Sequence, residues 1–544
     1  MAAMASSTTP TNPLVGPLLT DFYQISMAYS YWKHGRHETP AVFELFFRKN
    51  PFGGEFTVFA GLDECLRYVE AFAVTDDDIE YLKTLLPSAE PGFFEWLRRL
   101  DCSAITIHAV REGTIVFPKC PLLRVQGPLG LAQLLETTLL NLVNFASLVT
   151  TNAARMRLAA GPDKRLLEFG LRRAQGPDGG VSASRYAFTG GFDGTSNVLA
   201  GKIFRDLPVT GTHAHSYVQA HASRADLPEN RTINGVDVVE AALRWRYDLG
   251  YDDAANLHEG EFSAFCAYAL ANPTEFSALV DTYSTMETGL RNFITVALAL
   301  KEAGFESKGV RIDSGDLAYL SKQARALFDA TADEIAEGPK AEIGDCLRRV
   351  QVIASNDLNE RVILSLREQN AKIDVYGIGT HLVTCQAQPA LGCVYKLVEI
   401  DNEPCIKLSN EIVKTTIPGA KSCYRLISAR DQMLLDLLVP ATHAAPEVGE
   451  RVLCRHPFDH QKRAYVTPSK VVELHKVVFA GGRRQDARDS LLDIRAYCQE
   501  QLRTVREDVL RPLNPTPYKT SVSAALFQFL NDALQRNQPV SELS

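Results

Sequence analysis

The chain has 544 residues, of which 46% are hydrophobic and 22% charged, so it is long enough for two or three globular domains and is not composed like a disordered protein. Its net charge of −8 and the lack of any basic run exclude nucleic acid as the main expected partner. The 11 cysteines form no Cys-x-x-Cys pair, which is typical of reduced thiols in a cytosolic protein.

The N-terminal part of the chain combines helix and strand patterns. Residues 1–12 are small and polar, and we expect a disordered tail there rather than a secretory signal. Residues 21–33 predict a helix, whereas residues 41–47 and 105–118 predict strands. Residues 131–160 are apolar on nearly every face, which predicts a long buried helix. No uninterrupted apolar run reaches the roughly 18 residues of a membrane span, so we expect no membrane contact.

Beyond the predicted buried helix, short apolar strands alternate with helical patterns. The predicted strands are residues 166–169, 310–312, 352–354, 373–376 and 394–397, and the clearest helices are residues 317–328 and 360–369. Such alternation is typical of a parallel sheet covered by helices, and we predict an α/β fold with an irregular TIM-like (β/α) barrel. After about residue 405 the pattern becomes irregular and strand-like, and it ends in predicted helices at residues 489–508 and 521–535.

The motif Gly-Thr-His-Ala-His-Ser at residues 211–216 is the most informative segment of the chain. Imidazole can serve near neutral pH as a base, a metal ligand or a phosphoryl acceptor. His213 and His215 have the His-x-His spacing of metal ligands. Further histidines available to a zinc site are His221, His258 and His381, none of them in a recurring ligand spacing. The neighbouring motifs suggest phosphate binding, so we favour phosphoryl transfer to histidine over metal binding.

A second motif, Arg-Ile-Asp-Ser-Gly-Asp at residues 311–316, follows a predicted strand. Arg311 and Asp313 alternate at the strand end and therefore point to one face. Arg311 can hold a diphosphate or a carboxylate in a bidentate fork, while Asp313 and Asp316 can hold ribose hydroxyls or Mg²⁺. The alternative is an internal Arg–Asp ion pair followed by a capping serine.

Two glycine- and serine-containing turns follow neighbouring predicted strands. In Gly-Ile-Gly-Thr, residues 377–380, backbone N–H groups and the Thr380 hydroxyl can converge on a phosphate, or the segment is a plain tight turn. Ser-Asn-Asp at residues 355–357 can add further donors or simply begin a helix.

The doubled cation Arg172–Arg173 follows the predicted strand at residues 166–169. The adjacent Phe169 can stack on an aromatic ring, and the alternative for the arginines is a solvated pair. Residues 193–197, Asp-Gly-Thr-Ser-Asn, predict a capped helix start with exposed amides. All of these motifs follow strands, where barrel enzymes place their sites, so together they predict a site for an anionic sugar phosphate.

These motifs, in this order and over most of the chain, closely resemble those of the nicotinate phosphoribosyltransferases. The matching segments are residues 19–24, 168–173, 211–216, 310–316, 377–380, 394–397 and 513–519. The resemblance implies a barrel domain, here residues 156–405, joined to an α/β sandwich domain built from residues 13–155 and 406–544. It also implies a cytosolic homodimer with shared active sites.

The resemblance further implies a reaction, a co-substrate and a metal cofactor. The family joins nicotinate to 5-phosphoribosyl 1-diphosphate, giving nicotinate mononucleotide and diphosphate for NAD synthesis. ATP is a co-substrate whose hydrolysis is coupled through a phosphorylated histidine, and Mg²⁺ or Mn²⁺ is the expected metal. The family pattern Gly-Thr-x-Ala-His-Ser assigns the phosphohistidine to His215 and leaves His213 at the variable position.

The expected site residues combine this resemblance with the residue patterns. The resemblance assigns nicotinate to Tyr23, supplied by the partner subunit, and to Thr212 and Arg311, and it assigns the ribose 5-phosphate to Thr380. The patterns add Phe169 and Arg172 to the nicotinate site, and Arg173, Asp313, Gly377 and Gly379 to the phosphoribosyl diphosphate site. The resemblance to nicotinamide-using relatives adds Ser196 to the nicotinate site. His215, Arg311 and Asp313 are expected to be catalytic, and Asp313 and Asp316 to bind Mg²⁺ through the substrate.

Three alternatives remain open from the sequence. A nicotinamide phosphoribosyltransferase would share the fold, but its relatives carry an aspartate where Ser196 aligns, so we expect nicotinate as substrate. A barrel metallohydrolase would use His213 and His215 as zinc ligands. A catalytically inactive regulatory relative is disfavoured because Arg311, Asp313 and His215 are all present.

Overall fold

The computed structural model describes residues 9–227, 229–251, 257–337, 341–409, 411 and 414–537. The helices are α1 Phe22–Lys33, α2 Leu62–Glu70, α3 Asp76–Leu85, α4 Pro91–Arg98, α5 Leu129–Leu134, α6 Glu136–Ala160, α7 Gly176–Thr189, α8 Val198–Ile203, α9 His215–Gln219, α10 Val238–Asp248, α11 Glu259–Ala271, α12 Leu290–Glu302, α13 Leu317–Ala336, α14 Ala341–Gly344, α15 Glu360–Glu368, α16 Thr380–Val383, α17 Leu491–Thr504, α18 Glu507–Leu510 and α19 Ala524–Asn537.

The strands are β1 Pro40–Phe47, β2 Thr57–Val58, β3 Thr106–Val110, β4 Ile115–Val116, β5 Leu123–Pro128, β6 Arg165–Glu168, β7 Gly194–Thr195, β8 Thr232–Ile233, β9 Val236–Asp237, β10 Ser277–Leu279, β11 Gly309–Ile312, β12 Gln351–Ser355, β13 Val375–Ile378, β14 Cys393–Ile400, β15 Glu403–Pro404, β16 Lys421–Ile427, β17 Met433–Pro440, β18 Val452–Arg455, β19 Arg463–Val466, β20 Lys470–Glu473, β21 His475–Ala480, β22 Arg483–Arg484 and β23 Thr520–Val522.

A six-stranded parallel sheet, in the order β10-β11-β12-β13-β6-β7, forms the centre of the protein. An isolated parallel bridge between Thr195 and Val209 extends the β7 edge. At the other edge, the backbone N–H of Leu279 donates to Nε2 of His213 at 3.2 Å. The predicted α/β class is confirmed, and the closure of this sheet into a TIM-like barrel stays a prediction.

A seven-stranded antiparallel sheet joins distant parts of the chain in the order β15-β14-β1-β5-β3-β21-β22. Its strands β1, β3 and β5 precede the parallel sheet in sequence, whereas β21 and β22 follow it. The expectation that residues 394–397 belong to the parallel sheet is wrong, because β14 pairs antiparallel with β1. Tyr395 of β14 stacks on Phe43 with 4.8 Å between ring centroids. Short apolar strands look alike in sequence, and this cross-strand packing decides which sheet accepts β14.

A second six-stranded sheet, in the order β19-β18-β23-β17-β16-β20, is built from the C-terminal segment. It is fixed to the antiparallel sheet by a buried ion pair, in which Lys421 Nζ lies 2.8 Å from Glu44 Oε2 and each side chain is 2% exposed. The backbone N–H of Lys421 also donates to Glu44 Oε1 at 3.1 Å. Burial of this kind is tolerated because both charges are paired and hydrogen-bonded.

The long apolar helical segment lies in the core and contacts helices that follow parallel strands as well as a strand of the antiparallel sheet. The segment Leu129–Ala160, divided at Leu135 into α5 and α6, is long and apolar enough by length and composition to cross a membrane, contrary to our reading of the sequence. However, 61% of its most apolar window is buried within the protein. Helix α6 packs on α7 and α15 on one side and on β2 and β14 on the other, as the core helix of a globular fold does.

Other predicted elements differ from the structure at their ends. Residues 105–118 form two strands, β3 and β4, because the chain turns at Gly113, whose φ of +90° favours glycine. Strand β13 begins two positions later than predicted and continues into the Gly-Ile-Gly-Thr motif. The described part of the predicted N-terminal tail is ordered: Thr11 N–H donates to Glu64 Oε2 at 2.9 Å, and Arg67 donates to the Thr9 carbonyl at 3.0 Å. Residues 1–8 lie outside the described residues.

Candidate functional site

Two adjoining cavities lie at the carboxyl ends of the parallel strands, and they share Phe169, Arg172 and Arg311. The smaller, which we call the polar cavity, has a volume of about 110 Å³ and is lined by Phe169, Arg172, Arg173, Arg311, Asp313, Ser355, Asn356, Asp357, Gly377, Gly379 and Thr380. The larger, which we call the apolar cavity, has a volume of about 540 Å³ and is lined by Phe169, Leu171, Arg172, Ser196, Gly211, Thr212, His213, Ala214 and Arg311. Parallel strands end at one edge, which explains why motifs far apart in sequence meet here.

Arg311, at the end of β11, connects the walls of both cavities. Its Nε donates to Ser355 Oγ at 3.1 Å, and one terminal nitrogen donates to Thr212 Oγ1 at 2.8 Å. The other terminal nitrogen lies 3.3 Å from Asp313 Oδ2. Ser355 Oγ in turn donates to Asp313 Oδ1 at 2.5 Å. The internal Arg–Asp pair considered from the sequence is therefore present, and it lies inside the cavity wall.

The guanidinium groups of Arg172 and Arg173 carry the uncompensated positive charge of the site. Both residues lie on a single 3₁₀ turn that follows β6, and both side chains are exposed. Within the described part of the chain, neither guanidinium has a hydrogen-bond or ion-pair partner. Arg172 lines both cavities, whereas Arg173 lines only the polar one. Unpaired arginines beside a concave surface suit a phosphate or a carboxylate.

The loop after β12 adopts an uncommon backbone conformation where it lines the polar cavity. Asn356 and Asp357 have φ angles of +97° and +45°, in the region that favours glycine. Such residues cost about 1–3 kcal/mol each and accumulate at functional sites. Asn359 then begins helix α15 by accepting hydrogen bonds from Arg361 N–H and Val362 N–H. The predicted helix start is thus confirmed, but it lies three residues after the segment that lines the cavity.

The glycines of the Gly-Ile-Gly-Thr motif have a packing role in addition to any role in binding. A Cβ atom on Gly377 would lie 2.6 Å from the Phe169 ring, and one on Gly379 would lie 3.1 Å from the Phe169 carbonyl oxygen. Only glycine at position 377 lets the Phe169 ring lie against the strand backbone. The ring is thereby held between the two cavities.

Glu168 holds the two loops on either side of Phe169 in place. Its carboxylate is 1% exposed and accepts hydrogen bonds from Gly170 N–H, from Ser184 Oγ at 2.7 Å and from Thr195 Oγ1 at 2.5 Å. The Glu168 carbonyl accepts from Ser196 N–H at 2.9 Å. Ser196 therefore faces the apolar cavity from a fixed backbone position.

His215 begins helix α9 beside a buried carboxylate that the sequence analysis missed. Its Nε2 lies 3.1 Å from Asp281 Oδ1, and the His215 side chain is 40% exposed while that of Asp281 is 2% exposed. Asp281 Oδ2 also accepts from Asp313 N–H at 3.0 Å and from Ser314 Oγ at 2.5 Å. The only sequence signal for Asp281 is an acidic residue after the short strand β10, which was too brief to predict.

His213 has the opposite environment to His215. It is 7% exposed, and its ring contacts those of Tyr217, Phe265 and Tyr268. Burial lowers the pKa of His213 to about 4, and its Nε2 accepts the Leu279 N–H bond. A neutral imidazole already used as an acceptor is not available to a metal. Among the described residues, the only group of side-chain ligand atoms close enough together to hold a metal ion is that of Cys120, Cys423 and Asp436. These residues are far in sequence from the two histidines.

Three predicted site residues, His215, Asp316 and Tyr23, are not among the residues that line the two cavities. Asp316, expected to bind Mg²⁺, instead caps helix α13 by accepting from Tyr319 N–H at 2.9 Å, as an aspartate before a helix commonly does. Tyr23 lies on α1, where its hydroxyl is 3.2 Å from Glu136 Oε1 and the residue is 47% exposed. Within one chain, the structure therefore does not bring Tyr23 to the site.

Comparisons with known proteins give a consistent family. Residues 18–144, 165–438 and 420–530 match the family models described as nicotinate phosphoribosyltransferase N-terminal domain, family and C-terminal domain. The chain is 52% identical to the nicotinate phosphoribosyltransferase of Dictyostelium discoideum over 98% of this chain and 91% of that protein. It is 43% identical to that of Homo sapiens over 96% of this chain and 97% of that protein. A crystal structure of human nicotinic acid phosphoribosyltransferase superposes with a TM-score of 0.84 and 41% identity, covering 95% of this chain and 100% of that one.

The depressed pKa of His213 predicts a specific loss of stability in acid. Because the folded-state pKa of about 4 lies below the ordinary 6.5, His213 contributes stability that is present above pH 6.5 and is lost as the pH falls towards 4. The loss should amount to roughly 3 kcal/mol. Urea unfolding of the unmodified protein and of His213→Gln between pH 7 and pH 4 measures it. The variant should lose less stability than the unmodified protein over this range, and parallel profiles would contradict the assignment.

Proposed function

The chain belongs to the nicotinate phosphoribosyltransferase family, and from this premise we propose that it transfers the phosphoribosyl group to nicotinate with ATP as co-substrate and Mg²⁺ as cofactor. One observation carries the proposal: an arginine-lined polar cavity adjoins an apolar cavity, with Arg311 and Phe169 in the shared wall. This arrangement suits a substrate that has a phosphate-rich part and a flat aromatic acid bound beside it.

The two substrates are assigned by charge and shape. The diphosphate and 5-phosphate groups occupy the polar cavity, with Arg173, Thr380 and the backbone at Gly377 and Gly379 as donors. Nicotinate occupies the apolar cavity, where Phe169 stacks on the pyridine ring and Arg172 meets the carboxylate.

The bond-forming step needs no proton transfer at nicotinate. The pyridine nitrogen lone pair attacks the ribose carbon that carries the diphosphate, the carbon–oxygen bond breaks, and its electron pair leaves with diphosphate. Rate acceleration then rests on positioning and on charge stabilisation. Arg311 and Arg173 stabilise the leaving diphosphate, and Asp313 orients a ribose hydroxyl.

The polar cavity also fits a divalent cation that arrives with the diphosphate. Asp313 and Asp357 are the two carboxylates in its wall, and Mg²⁺ is commonly bound by a few carboxylates together with substrate phosphates. When bound, the ion neutralises charge on the leaving diphosphate. Asp357 replaces Asp316 in this proposal, because the Asp316 carboxylate caps a helix.

ATP coupling is assigned to His215. The Nε2–H group donates to Asp281, which leaves the Nδ1 lone pair as the nucleophile. Nδ1 attacks the γ-phosphorus of ATP, ADP leaves, and water later cleaves the phosphorus–nitrogen bond to give inorganic phosphate. The buried Asp281 carboxylate stabilises the positive charge that forms on the imidazole.

The homodimer proposal accounts for the position of Tyr23. Phe22 and Tyr23 are exposed on α1 by 53% and 47%, and Val198 and Leu199 are exposed near the apolar cavity by 74% and 52%. Apolar side chains left uncovered on a single chain suit an interface. We propose that a second copy places its α1 beside this rim and supplies its Tyr23 to nicotinate. The location proposed for the dimer is the cytosol, in keeping with free cysteine thiols.

The first prediction identifies the phosphorylated residue. His215→Ala should abolish acid-labile labelling by γ-phosphate-labelled ATP, because no other histidine of the motif has an exposed ring nitrogen. His213→Gln is the matched control and should retain the label. A label that persists in His215→Ala, or that is lost only when His213 is changed, would overturn the assignment.

The second prediction concerns Arg311. Loss of a charge-assisted contact to the leaving group costs roughly 2–4 kcal/mol, so Arg311→Ala should lower kcat/KM by about 10²- to 10³-fold. Arg361→Ala, an exposed arginine outside both cavities, is the matched control and should be normal. Thr380→Ala should chiefly raise KM for phosphoribosyl diphosphate. Steady-state kinetics measure all three, and near-normal turnover in Arg311→Ala would remove this residue from the site.

The third prediction separates nicotinate from nicotinamide. Ser196 is a neutral hydroxyl in the apolar cavity wall, so a carboxylate meets no repulsion there. Ser196→Asp should depress the use of nicotinate through like-charge repulsion and favour nicotinamide, whereas Ser196→Ala should keep the original preference. Competition assays with both substrates measure the ratio. Equal efficiency with the two substrates in the unmodified enzyme would contradict the proposal.

A further inference from the structure

A third cavity, with a volume of about 1010 Å³, shares no lining residue with the polar and apolar cavities. We call it the arginine cavity, because five arginines line it: Arg155, Arg367, Arg503, Arg506 and Arg511. Three carboxylates, Glu360, Glu507 and Asp508, lie in the same wall and leave a surplus of positive charge. This surplus contrasts with the chain as a whole, whose net charge is −8.

Two of the five arginines are already neutralised. Arg155 donates to both carboxylate oxygens of Glu360, at 2.8 and 3.0 Å. Arg506 does the same with Asp508, at 2.9 and 2.7 Å. The remaining three, Arg367, Arg503 and Arg511, have no hydrogen-bond or ion-pair partner among the residues that the structure describes, and only Glu507 opposes them.

These three arginines come from separate elements and converge on one cavity. Arg367 and Glu360 are both on α15, seven positions apart, and therefore share one face of the helix. Since both line the cavity, α15 presents this face to it. Arg503 lies in the last turn of α17, and Arg511 directly follows α18. All three are exposed residues, and no hydrogen bond or ion pair of the described residues engages their guanidinium groups. They are therefore available to an anion that enters the cavity.

The cavity also has an apolar wall. Its accessible apolar surface comes from Leu158, Leu364 and Leu510, which are partly exposed. Phe56, Ala159 and Val505 also line it but are only 1%, 5% and 5% exposed. A purely inorganic anion would leave the apolar wall unused, whereas a ligand with a flat body would cover it.

We propose that the arginine cavity binds an organic phosphate, with a phosphate group on Arg367, Arg503 and Arg511 and a nucleobase-like body against the apolar wall. The site is distinct from the one proposed for catalysis, and its binding does not depend on the reaction. It is nevertheless close in sequence to the polar cavity, because Asn356 and Asp357 in that wall precede α15 by a few residues.

The test is calorimetric titration of the full-length protein with adenylyl imidodiphosphate and with inorganic tripolyphosphate. Saturating 5-phosphoribosyl 1-diphosphate and Mg²⁺ are present to occupy the polar cavity. Besides the nucleotide binding expected at the ATP site beside His215, we expect one further binding event per chain, tighter for the nucleotide analogue than for tripolyphosphate. The double variant Arg503→Ala/Arg511→Ala should weaken it at least tenfold. Arg99→Ala/Arg463→Ala, which removes the same charge from exposed positions outside the cavity, should not.

Each other outcome overturns a stated part of the proposal. Absence of a further event in the unmodified protein, or equal weakening in both double variants, would show that the cavity has no site of its own. Equal affinity for tripolyphosphate and the nucleotide analogue would remove the apolar wall from recognition. Thermal unfolding of both variants confirms that they are folded. Turnover and His215 labelling are measured separately, so a failure of the proposed catalytic function cannot be mistaken for a failure here.

Discussion

The site depends on the hydrogen bonds made by the guanidinium group of Arg311. It bonds Ser355, Thr212 and Asp313, and so fixes the ends of two parallel strands and the histidine motif in one arrangement. A partly buried cation is costly unless it is paired and hydrogen-bonded, and here every terminal nitrogen has a partner. The same bonds hold the Arg311 guanidinium in position for the leaving diphosphate, and the unpaired Arg172 and Arg173 add further attraction for anions.

The two histidines of one motif illustrate how environment divides roles between identical side chains. His213 lies in an aromatic cluster, where burial lowers its pKa to about 4, and it accepts a hydrogen bond from Leu279 N–H at the β10 edge of the parallel sheet. His215, two residues later, begins a helix, stays partly exposed and faces the buried carboxylate of Asp281. One imidazole therefore bonds the scaffold while the other is presented for chemistry. Among the described residues, neither histidine belongs to a cluster of ligand atoms that could hold a metal ion.

Helices and sheets from the whole length of the chain support the site. Helix α6 packs on α7 and α15, which follow strands of the parallel sheet in sequence, and on β14 of the antiparallel sheet. The buried pair Glu44–Lys421 joins the antiparallel sheet to the C-terminal one. Arg155, on the cavity side of α6, also bonds Glu360 at the start of α15, next to the loop that lines the polar cavity. The core helix thus connects the active-site loop to the arginine cavity.

The sequence alone determined the α/β class, the strands β6, β11 and β12, and the polar motifs that follow them, because strand patterns and turn residues are local properties. Only the tertiary structure decided that β14 joins the antiparallel sheet and that Asp281 meets His215. These outcomes depend on which distant segments pair and on which atoms burial removes from water. The residues that neighbour a motif do not determine either the pairing or the burial, because both are set by contacts between positions tens to hundreds of residues apart.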